Sequence, residues 1–577
     1  MLHAFVKEQL LLNGGLPAIQ FETFSALTYE QLDTQSDRIA HYLHNEYHIK
    51  QGDIVGVSIM RSADVAILLL SLSKLGAIYV PLDPACPEER LNLIIDDCKP
   101  ALIITEAGSY AACRSQQFVE LPIKSLRAAT QEIMDFPCFP QASQQGLIAY
   151  IIYTSGTTGK PKGVPIQHSG FHYWAKVLKE KTNLNEKSRV LDFMSIGFDA
   201  HIWQVLMAWS TGACLYVVSD ATRNDVDELT NFMLRHQITD ATLIPSLIRA
   251  LNLRDNLLKL KHTGLSNVYS TGEACSIEMV YEFDKTGITL WNCYGPTEAT
   301  FGMSIIQCHE DMLSGGIVPI ALPCGDVTAY ILDEEQKQVS DGETGELHIC
   351  SPYLTPGYWN RQEETLQRFI EIEQNGKRIR VYATGDLFSQ RNGYLYFHGR
   401  SNQLSHVKIN GILVNPQETE DCLRQQPNIL DACVFVHGQN SLRLVSFIVT
   451  LDDHLSHSDL FEQMKKKLVD VAIPVCFFQV KALPKTVNGK IDRDQLSRNL
   501  PTYIAAMRSH SFSTPIQQQL SDIWRNLLSI DCFDKNSHFY HIGGDSCKIY
   551  HLLQNIRDQF FVKITLNELH NLPILGI

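Results

Sequence analysis

The sequence predicts an α/β protein made of a large layered domain, a small α+β domain and a helical C-terminal segment. Over residues 1–400, short apolar runs typical of strands alternate with longer amphipathic segments, which favours layers of sheet and helix. From about residue 403 to residue 500 the pattern is that of a smaller α+β unit. From Thr514 onward, apolar residues recur at helical spacing. These changes of pattern predict domains at 1–400, 401–502 and 514–577, with a linker at 503–513.

Several apolar runs carry the strand prediction. Those of the large domain span residues 54–59, 101–105, 147–153, 214–218, 239–244 and 288–291, and those of the small domain span 432–436 and 444–450. Residues 501–513 are polar and weakly patterned, which suits a linker. The pair Thr514–Pro515 is typical of a helix start, with a capping hydroxyl followed by proline at the first helical position.

Composition excludes several classes of protein. The chain has 577 residues, 45% of them hydrophobic and 19% charged, which is an ordinary globular mixture. Its formal net charge of −14 argues against a general nucleic-acid binder. The 15 cysteines are scattered without a C-x-x-C pair, so a disulfide framework and a zinc cluster are both unexpected. No signal peptide or long apolar span is evident, and we expect a cytoplasmic protein without membrane insertion.

The most informative segment is the loop at residues 153–163. It places three glycines, four hydroxyls and two lysines directly after a predicted strand. Glycine lets backbone N–H groups converge on an anion, while hydroxyls add donors and lysines add charge, so the loop predicts phosphate binding. It is not a Walker A loop, because only two residues separate Gly156 from Gly159 and proline follows Lys160. An ordinary glycine-rich surface turn is the alternative.

Three further segments are candidates for chemistry. Residues 292–298 offer the flat ring of Tyr294 for a base and the carboxylate of Glu298 for a cation, although a plain strand-to-loop turn explains them equally well. Residues 384–387 place Asp386 on a turn, where a carboxylate suits ribose hydroxyls. Residues 484–493 put Lys490 near the tip of an Asn-Gly turn, which is also compatible with a solvated hairpin.

At these residues the chain resembles the adenylation domains of nonribosomal peptide synthetases, within the superfamily of adenylate-forming enzymes. The resemblance covers nearly the whole chain, and the motifs occur in the family's order. Besides the segments above, they lie at residues 27–32, 76–83, 198–199, 345–347, 357–361 and 399–400. The resemblance implies a large adenylate-forming domain, a small mobile C-terminal domain and a four-helix carrier bundle.

The resemblance also implies a set of site residues. Lys490 and Glu298 would be catalytic, with Glu298 helping to hold Mg²⁺ and Lys490 bridging the carboxylate and the α-phosphate. The ATP site would comprise Thr154, Ser155, Gly156, Thr157, Thr158, Gly159, Lys160, Gly272, Glu273, Asn292, Tyr294, Gly295, Thr297, Asp386 and Arg400. Within it, Asp386 would take the ribose hydroxyls, while Asn292 and Tyr294 would flank the adenine.

The family's substrate pocket carries over onto a nearly uncharged wall. Asp199 would pair with the α-ammonium of an amino acid, although a helix cap is the alternative for this residue. The remaining positions are Ala200, Trp203, Thr242, Tyr269, Thr271, Cys293, Phe301 and Gly302, together with Lys490. An uncharged wall predicts a neutral, largely apolar amino acid. Its size stays open, because the Asp-Ala-x-x-Trp start suits aromatic substrates, whereas Tyr269 and Phe301 narrow the space for a small aliphatic one.

The segment 539–546 resembles the attachment site of a peptidyl carrier protein. A glycine turn before a helix would present Ser546 to a transferase that adds 4′-phosphopantetheine, and a helix N-cap serine is the alternative. The resemblance therefore implies activation of an amino acid with ATP and its loading as a thioester on the chain's own carrier. We expect a stand-alone loading module that depends on a phosphopantetheinyl transferase and passes its product to a condensation or tailoring enzyme in trans.

The chain departs from the family pattern at three places. Ala383 stands where a basic residue is usual before the Thr-Gly-Asp motif. At the hinge between the large and small parts of the adenylation domain, Asn402 stands where aspartate is common, and residues 403–406 are about two longer than the usual run. An altered hinge would slow thioester formation without abolishing adenylation. The alternatives are a D-alanine-type ligase, an acyl-CoA synthetase relative, and a degenerate, non-catalytic carrier scaffold.

Overall fold

The computed structural model describes the chain apart from a set of short stretches and the C-terminus. The residues outside the described part are 107–117, 132, 134–145, 155–160, 253–255, 314–317, 324, 375, 401–406, 411, 427, 439–441, 452–456, 485–490, 512–513, 529, 531, 534–536, 538, 540–541, 543, 545, 561 and 563–577. The described residues of 1–86, 91–154 and 161–400 form one compact unit, and those after residue 406 belong to a second.

The first 400 residues alternate strands and helices, as predicted. In chain order these are α1 (Leu2–Asn13), β1 (Pro17–Phe21), β2 (Leu27–Thr28), α2 (Tyr29–Tyr47), β3 (Ile54–Ser58), α3 (Ala63–Leu75), β4 (Ile78–Pro81), α4 (Glu88–Cys98), β5 (Leu102–Thr105), β6 (Val119–Pro122), α5 (Ile123–Gln131), β7 (Ile148–Thr154), β8 (Lys162–Gln167), α6 (Ser169–Lys181), β9 (Arg189–Asp192), α7 (Asp199–Thr211), β10 (Cys214–Val217), α8 (Asp220–Arg223), α9 (Val226–Arg235), β11 (Asp240–Leu243), α10 (Pro245–Asn252), α11 (Asn256–Thr263), β12 (Asn267–Ser270), α12 (Ile277–Thr286), β13 (Thr289–Tyr294), β14 (Ser304–Gln307), β15 (Ile320–Ala321), β16 (Thr328–Leu332), β17 (Thr344–Cys350), α13 (Gln362–Arg368), β18 (Phe369–Gln374), β19 (Lys377–Arg391) and β20 (Tyr394–Arg400), with 3₁₀ turns at Thr297–Ala299 and Glu310–Met312.

An eight-stranded sheet positions most of the candidate site. Its strand order is β14-β13-β12-β11-β9-β10-β1-β2, and the six inner strands run parallel. The carboxyl ends of parallel strands meet at one edge, which is where open α/β sheets bind ligands. A six-stranded sheet in the order β6-β5-β3-β4-β7-β8 and a third sheet in the order β15-β20-β19-β17-β16 complete this unit, with β18 paired to β19.

Helix α7 lies in the apolar core of this unit. Its residues from His201 to Ser210 are all buried, as a helix that is apolar on every side requires. The Trp209 indole N–H donates to the Ala18 carbonyl at 3.1 Å, and Gly212 ends the helix at a φ of 81°. The start of α7, which carries Asp199, is therefore fixed relative to the sheet.

The second unit is smaller and joins strands to helices. Its elements are β21 (Val407–Ile409), β22 (Ile412–Val414), α14 (Pro416–Arg424), β23 (Ile429–His437), β24 (Arg443–Thr450), α15 (His457–Lys465), a 3₁₀ turn at Asp470–Ala472, β25 (Cys476–Gln479), α16 (Arg493–Ser511), α17 (Pro515–Leu528) and α18 (Ser546–Phe560). Strands β23, β24 and β25 form one sheet and β21 pairs with β22. The mixed α/β class predicted from the sequence is confirmed.

The predicted linker differs from what the structure shows. Residues 503–511 continue helix α16. Ile504 is buried, and the Tyr503 ring lies edge-on to Phe447 at 5.1 Å between centroids. These apolar contacts stabilise the helix, although the polar composition of the segment does not predict one. The predicted start of the next helix is confirmed, because the Thr514 hydroxyl accepts from Gln517 N–H at 3.2 Å and proline occupies the first helical position. The domain boundaries themselves stay predictions.

Candidate active site

A buried ion pair lies beside the predicted phosphate loop. Thr154 ends β7 and pairs with Lys162 on β8, so these two residues flank the loop. The Lys162 ammonium lies 3.7 Å from Glu298 Oε1 and 4.0 Å from the centre of the Tyr358 ring. The Tyr358 hydroxyl donates to the same Glu298 oxygen at 2.8 Å. One carboxylate oxygen of Glu298 therefore both faces the Lys162 ammonium and accepts the hydrogen bond from Tyr358.

The electrostatics of this cluster keep Glu298 charged. Burial alone would raise the pKa of the Glu298 carboxyl, but the Lys162 ammonium and the Tyr358 hydroxyl stabilise the anion and hold its pKa below the usual value. The Thr154 hydroxyl is also buried and has no hydrogen-bond partner among the described residues. Unsatisfied buried donors are costly, so this hydroxyl is available to a ligand that enters the loop.

The Lys162–Glu298 pair gives a prediction about stability. Because removal of one partner leaves a buried charge uncompensated, Lys162→Met is expected to lower the free energy of unfolding by about 3–5 kcal/mol near neutral pH. The folded-state pKa of Glu298 is depressed, so the stabilising pair is complete above the unfolded value of 4.5 and is lost as pH falls through the depressed pKa. Urea unfolding near neutral pH and at about pH 4 measures this, and the gap between variant and parent should shrink in acid.

A surface pair on the same chain provides the control. The Lys179 ammonium lies 3.4 Å from Glu8 Oε1, with both side chains about half exposed. Lys179→Met is therefore expected to change stability by less than about 1 kcal/mol. Equal losses in the two variants, or a loss in Lys162→Met that does not depend on pH, would contradict a buried, charged Glu298.

Tyr294 and Asp386 meet although they belong to different sheets. The Tyr294 hydroxyl donates to Asp386 Oδ2 at 2.5 Å, and the Tyr294 ring packs edge-on against Phe388 at 5.1 Å. Asp386 N–H donates to the Thr384 hydroxyl at 3.0 Å, and Asp386 pairs with Arg400 across β19 and β20. An aromatic face and a carboxylate thus lie side by side, as a base and its ribose require.

Residues around Tyr294 hold the end of β13 in place. Asn292 is buried and its amide donates to the Pro319 carbonyl at 3.0 Å. A Cβ added to Gly295 would lie 1.9 Å from Gly302 Cα, so these two glycines permit the close approach of the chain on either side of the loop.

The other predicted ATP-site residues lie after β12 and in the turn after β13. Gly272 follows β12 at a φ of 89°, and the Glu273 carboxylate lies 3.9 Å from the Arg249 guanidinium. Thr297 belongs to the 3₁₀ turn that contains Glu298.

Asp199 is the first residue of α7, and Phe198 is the N-cap, so the capping alternative for Asp199 does not describe its position. A carboxylate in the first turn is favoured by the helix dipole, which is compatible with either role. Burial raises the pKa of Tyr150 well above its usual value and the negative charge of Asp199 raises it further, which indicates that the two side chains lie near each other. Ala200, next along α7, is half-buried.

A buried network that the sequence did not reveal braces the segment before Asp199. The Arg61 guanidinium lies 3.2 Å from Asp192 Oδ1 and also donates to the Met194 carbonyl. His201 Nδ1 lies 2.9 Å from the same Asp192 oxygen. Burial would raise the pKa of Asp192, but His201 and Arg61 together lower it, so the carboxylate stays charged. The network ties the segment after β3 to β9 and α7, and its long sequence separations leave no local pattern to detect.

The predicted pocket residues come from the carboxyl edge of the large sheet and from α7. Thr242 and Tyr269 are opposite each other on β11 and β12, and Tyr269 is opposite Trp291 on β13. The Tyr269 hydroxyl donates to Asp240 Oδ1 at 3.3 Å, which fixes the ring. Thr271 N–H donates to the Leu243 carbonyl at 3.2 Å. Burial raises the pKa of the Cys293 thiol, so it is neutral in this wall.

Some predicted site residues fall outside the described part of the chain. These are Ser155, Gly156, Thr157, Thr158, Gly159 and Lys160 of the phosphate loop, Asn402 at the hinge, and Lys490. Arg400 ends β20 and Ser546 is the first residue of α18. Sequence reasoning did not find the contact of Lys162 and Tyr358 with Glu298, although their motifs were recognised, because that contact joins segments far apart in sequence.

Family models match three consecutive parts of the chain. Residues 6–359 match the model described as AMP-binding enzyme, residues 418–490 the AMP-binding enzyme C-terminal domain, and residues 518–576 the phosphopantetheine attachment site. The last match contains Ser546.

Two curated relatives match most of this chain. Malpinin synthetase of Mortierella alpina is 31% identical over 535 residues, which are 90% of this chain and 7% of that protein. Gramicidin S synthase 1 of Brevibacillus brevis is 31% identical over 550 residues, which are 95% of this chain and 49% of that protein. The chain thus spans half or less of the length of these relatives.

Solved structures agree with the fold. Holo-PA1221, a nonribosomal peptide synthetase protein containing adenylation and PCP domains, superposes with a TM-score of 0.81 at 24% identity, covering 100% of this chain and 95% of that one. Holo-AB3403, a four-domain nonribosomal peptide synthetase bound to AMP and glycine, gives a TM-score of 0.61 at 26% identity, covering 100% of this chain and 42% of that one. Within the part of the chain that the structure describes, no helix is both long and apolar enough to cross a membrane.

Proposed function

Because the chain belongs to the family of AMP-binding enzymes and joins an adenylation domain to a phosphopantetheine carrier segment as nonribosomal peptide synthetases do, we propose that it activates an amino acid with ATP and loads it onto its own carrier. The observation that carries this proposal is the position of Asp199, at the start of the buried helix α7 and at the edge where ligands enter such sheets. A carboxylate there suits the α-ammonium group of an amino acid.

In the first half-reaction, a carboxylate oxygen of the amino acid attacks the α-phosphorus of ATP. The new oxygen–phosphorus bond forms as the bond to the β-phosphate breaks, giving an aminoacyl adenylate and pyrophosphate. Charge builds on phosphate oxygens in this step, so positioned cations and N–H donors should dominate the rate enhancement. We assign this work to the loop 154–160 and to Lys490.

The nucleotide would be held by the two side chains that meet across the sheets. The Tyr294 ring offers a face to adenine, with Asn292 at the end of the same strand, and Asp386 accepts from the ribose hydroxyls. The Tyr294 hydroxyl and Asp386 already lie 2.5 Å apart, which supports a nucleotide site whose base and ribose contacts would be organised before ATP arrives. Preorganisation of this kind lowers the entropic cost of binding.

Magnesium is implied by the family, and the residues present fit it. Glu298 is a buried, charged oxygen donor, and Mg²⁺ needs only one or two carboxylates when phosphates and water complete its shell. Among the described residues no group of three or more His, Cys, Asp or Glu side chains could hold a metal by itself, so the ion would depend on ATP. When bound, Mg²⁺ would neutralise charge on the phosphate oxygens.

The second half-reaction requires a thiol, which 4′-phosphopantetheine on Ser546 would supply. The described residues before Ser546 fit the attachment, because Gly544 N–H donates to the Phe539 carbonyl at 2.9 Å and a Cβ on Gly544 would lie 2.2 Å from the Phe539 ring. Phe539 is itself buried against Trp524 at 5.0 Å between centroids. The carrier core therefore holds Gly544, two residues before Ser546, and a phosphopantetheinyl transferase is the implied partner.

Amino-acid-dependent ATP–pyrophosphate exchange tests the proposal. The variant Asp199→Asn tests whether the Asp199 carboxylate binds the substrate ammonium. Loss of the carboxylate leaves the substrate ammonium without its charge partner, so we expect kcat/KM for the preferred amino acid to fall by at least about 30-fold. We also expect the parent to reject the same acid without its amine and Asp199→Asn to lose most of that discrimination. Exchange kinetics with the amino acid and its deaminated analogue measure both effects.

Asp225 offers a matched control for Asp199. It also stands at a helix start, where its carboxylate accepts from Asp227 N–H at 2.9 Å and Glu228 N–H at 3.0 Å. Asp225→Asn should leave exchange unchanged. If exchange occurs only with acids that lack an amine, the chain is an acyl-CoA synthetase relative; if none occurs with any acid, it is a degenerate scaffold.

A further inference from the structure

The loop that links β13 to β14 holds two consecutive residues in an uncommon backbone conformation. Thr300 has a φ of 55° and Phe301 a φ of 65°. Residues other than glycine rarely adopt a positive φ, and a β-branched residue such as threonine is a true outlier there. Such a conformation is strained and persists only where its surroundings fix it, most often near functional sites.

The surroundings of Thr300 fix it from three sides. The Trp174 indole N–H donates to the Thr300 carbonyl at 2.5 Å, and the Thr300 hydroxyl donates to the Tyr353 carbonyl at 2.6 Å. Tyr353 is held in turn by stacking on Tyr173 at 4.7 Å between ring centroids. A Cβ on Gly170 would lie 2.4 Å from the Thr300 methyl carbon, so α6 is shaped to receive this residue.

The fixed backbone directs Phe301 into a cluster of aromatic rings. Its ring centroid lies 5.8 Å from that of Trp203, 5.7 Å from that of Phe171 and 6.2 Å from that of Tyr150. Trp203 is braced by Trp174, whose ring meets it edge-on at 5.2 Å and 88°. Tyr150, Phe171 and Trp203 are all buried, so the Phe301 ring rests against side chains of the packed core.

This cluster borders Asp199. Trp203 follows Asp199 by four residues on α7, so the two side chains project from the same face of the helix. Tyr150 lies near enough to Asp199 to sense its charge. An amino acid whose ammonium reaches Asp199 therefore meets Trp203 and Phe301 on this side, with the buried Tyr150 packed behind Phe301.

We propose that Phe301 is a fixed size limit in the substrate pocket, and that the enzyme selects an uncharged amino acid with a side chain no larger than the isopropyl group of valine. The inference rests on the proposed function, since it needs Asp199 to hold the ammonium. Strain and packing keep Phe301 in place, so a larger side chain is excluded by overlap and is not accommodated by movement of the ring.

Pyrophosphate exchange with alanine, valine, leucine and phenylalanine tests the size limit. For the parent we expect kcat/KM with alanine or valine to exceed that with phenylalanine by about 100-fold or more. Phe301→Ala should raise kcat/KM for leucine or phenylalanine at least tenfold and lower it for the preferred small substrate. Phe301→Leu should give a smaller shift in the same direction, which keeps the test valid if Phe301→Ala folds poorly.

Phe21→Ala controls for general loss of stability. Phe21 is half-buried and stacks on Phe24 at 5.9 Å, and it lies on β1, seventh of the eight strands in the same sheet. This variant should keep the parental ranking of substrates. Preference of the parent for an aromatic amino acid, or an unchanged ranking in folded Phe301→Ala, would overturn the size limit and leave the proposed function standing. Exchange with no amino acid at all would remove the proposed function itself.

Discussion

Ser546→Ala is expected to abolish the gain of one phosphopantetheine group when the chain is treated with a phosphopantetheinyl transferase and CoA. The group is transferred to a hydroxyl, and alanine has none. Ser546 begins α18, two residues after Gly544, whose N–H donates to the Phe539 carbonyl in the carrier core. Intact-protein mass spectrometry measures the gain, and a radiolabelled amino acid with ATP measures the loading that depends on it.

Two comparisons make this result specific to Ser546. Ser537→Ala changes another serine of the same carrier segment and should retain the full gain of mass. Ser546→Ala should also keep parental ATP–pyrophosphate exchange, because adenylation needs no carrier thiol. A mass gain that persists in Ser546→Ala would move the attachment to another residue. Loss of exchange in this variant would show that the substitution disturbs the adenylation domain instead.

The strands of both units were predictable because their signal is local. An apolar run between polar segments needs no distant information, and the runs at 54–59 and 214–218 became β3 and β10 with only their ends shifted by one residue. The capping pair Thr514–Pro515 was equally local. The sequence predicts a linker where helix α16 continues to residue 511, because the helix depends on contacts such as Tyr503 with Phe447, which lie far apart in sequence.

The site divides in the same way between motif and contact. Tyr294, Glu298 and Asp386 were found because each stands in a motif of glycine, proline or threonine. The turn predicted for Asp386 is wrong, because this residue lies within strand β19. The contact between Tyr294 and Asp386, the pairing of Glu298 with Lys162 and the brace of Arg61 on Asp192 join residues separated by 92, 136 and 131 positions. Propensity and periodicity carry no information about such pairs, so a structure was needed to find them.

The same distinction applies to substrate size. Sequence reasoning identified Phe301 as bulky and left the size of the substrate open. The positive φ angles and the hydrogen bond from Trp174 to the Thr300 carbonyl fix the backbone that sets the Phe301 ring against Trp203. The size limit is therefore an inference from backbone conformation and packing, and it selects one of the two substrate classes that the sequence allowed.

Lys490→Ala is expected to lower ATP–pyrophosphate exchange by about 100- to 1,000-fold, the usual cost of removing one group that stabilises developing charge in a transition state. Lysine is a compact point charge on a flexible stem, which suits a group that must reach both the substrate carboxylate and the α-phosphate. Thioester formation from a supplied aminoacyl adenylate should fall far less, because that step builds no comparable charge at the α-phosphorus. Exchange and single-turnover thioester formation measure the two half-reactions separately.

Hydrogen bonds hold the described residues on either side of the segment 485–490. A second lysine of this segment, Lys485, is therefore an informative control for Lys490. Asp492 N–H donates to the Pro484 carbonyl at 2.8 Å, joining the residues on either side of 485–490. Arg493 pairs with the buried Glu420 and donates to the Val434 carbonyl at 3.1 Å. Lys485→Ala removes an equal charge from the same segment and should cost exchange less than about threefold, because only Lys490 is assigned to the adenylation step. Equal losses in the two variants would assign the effect to the charge of the segment, and near-normal exchange in Lys490→Ala would remove Lys490 from the adenylation step.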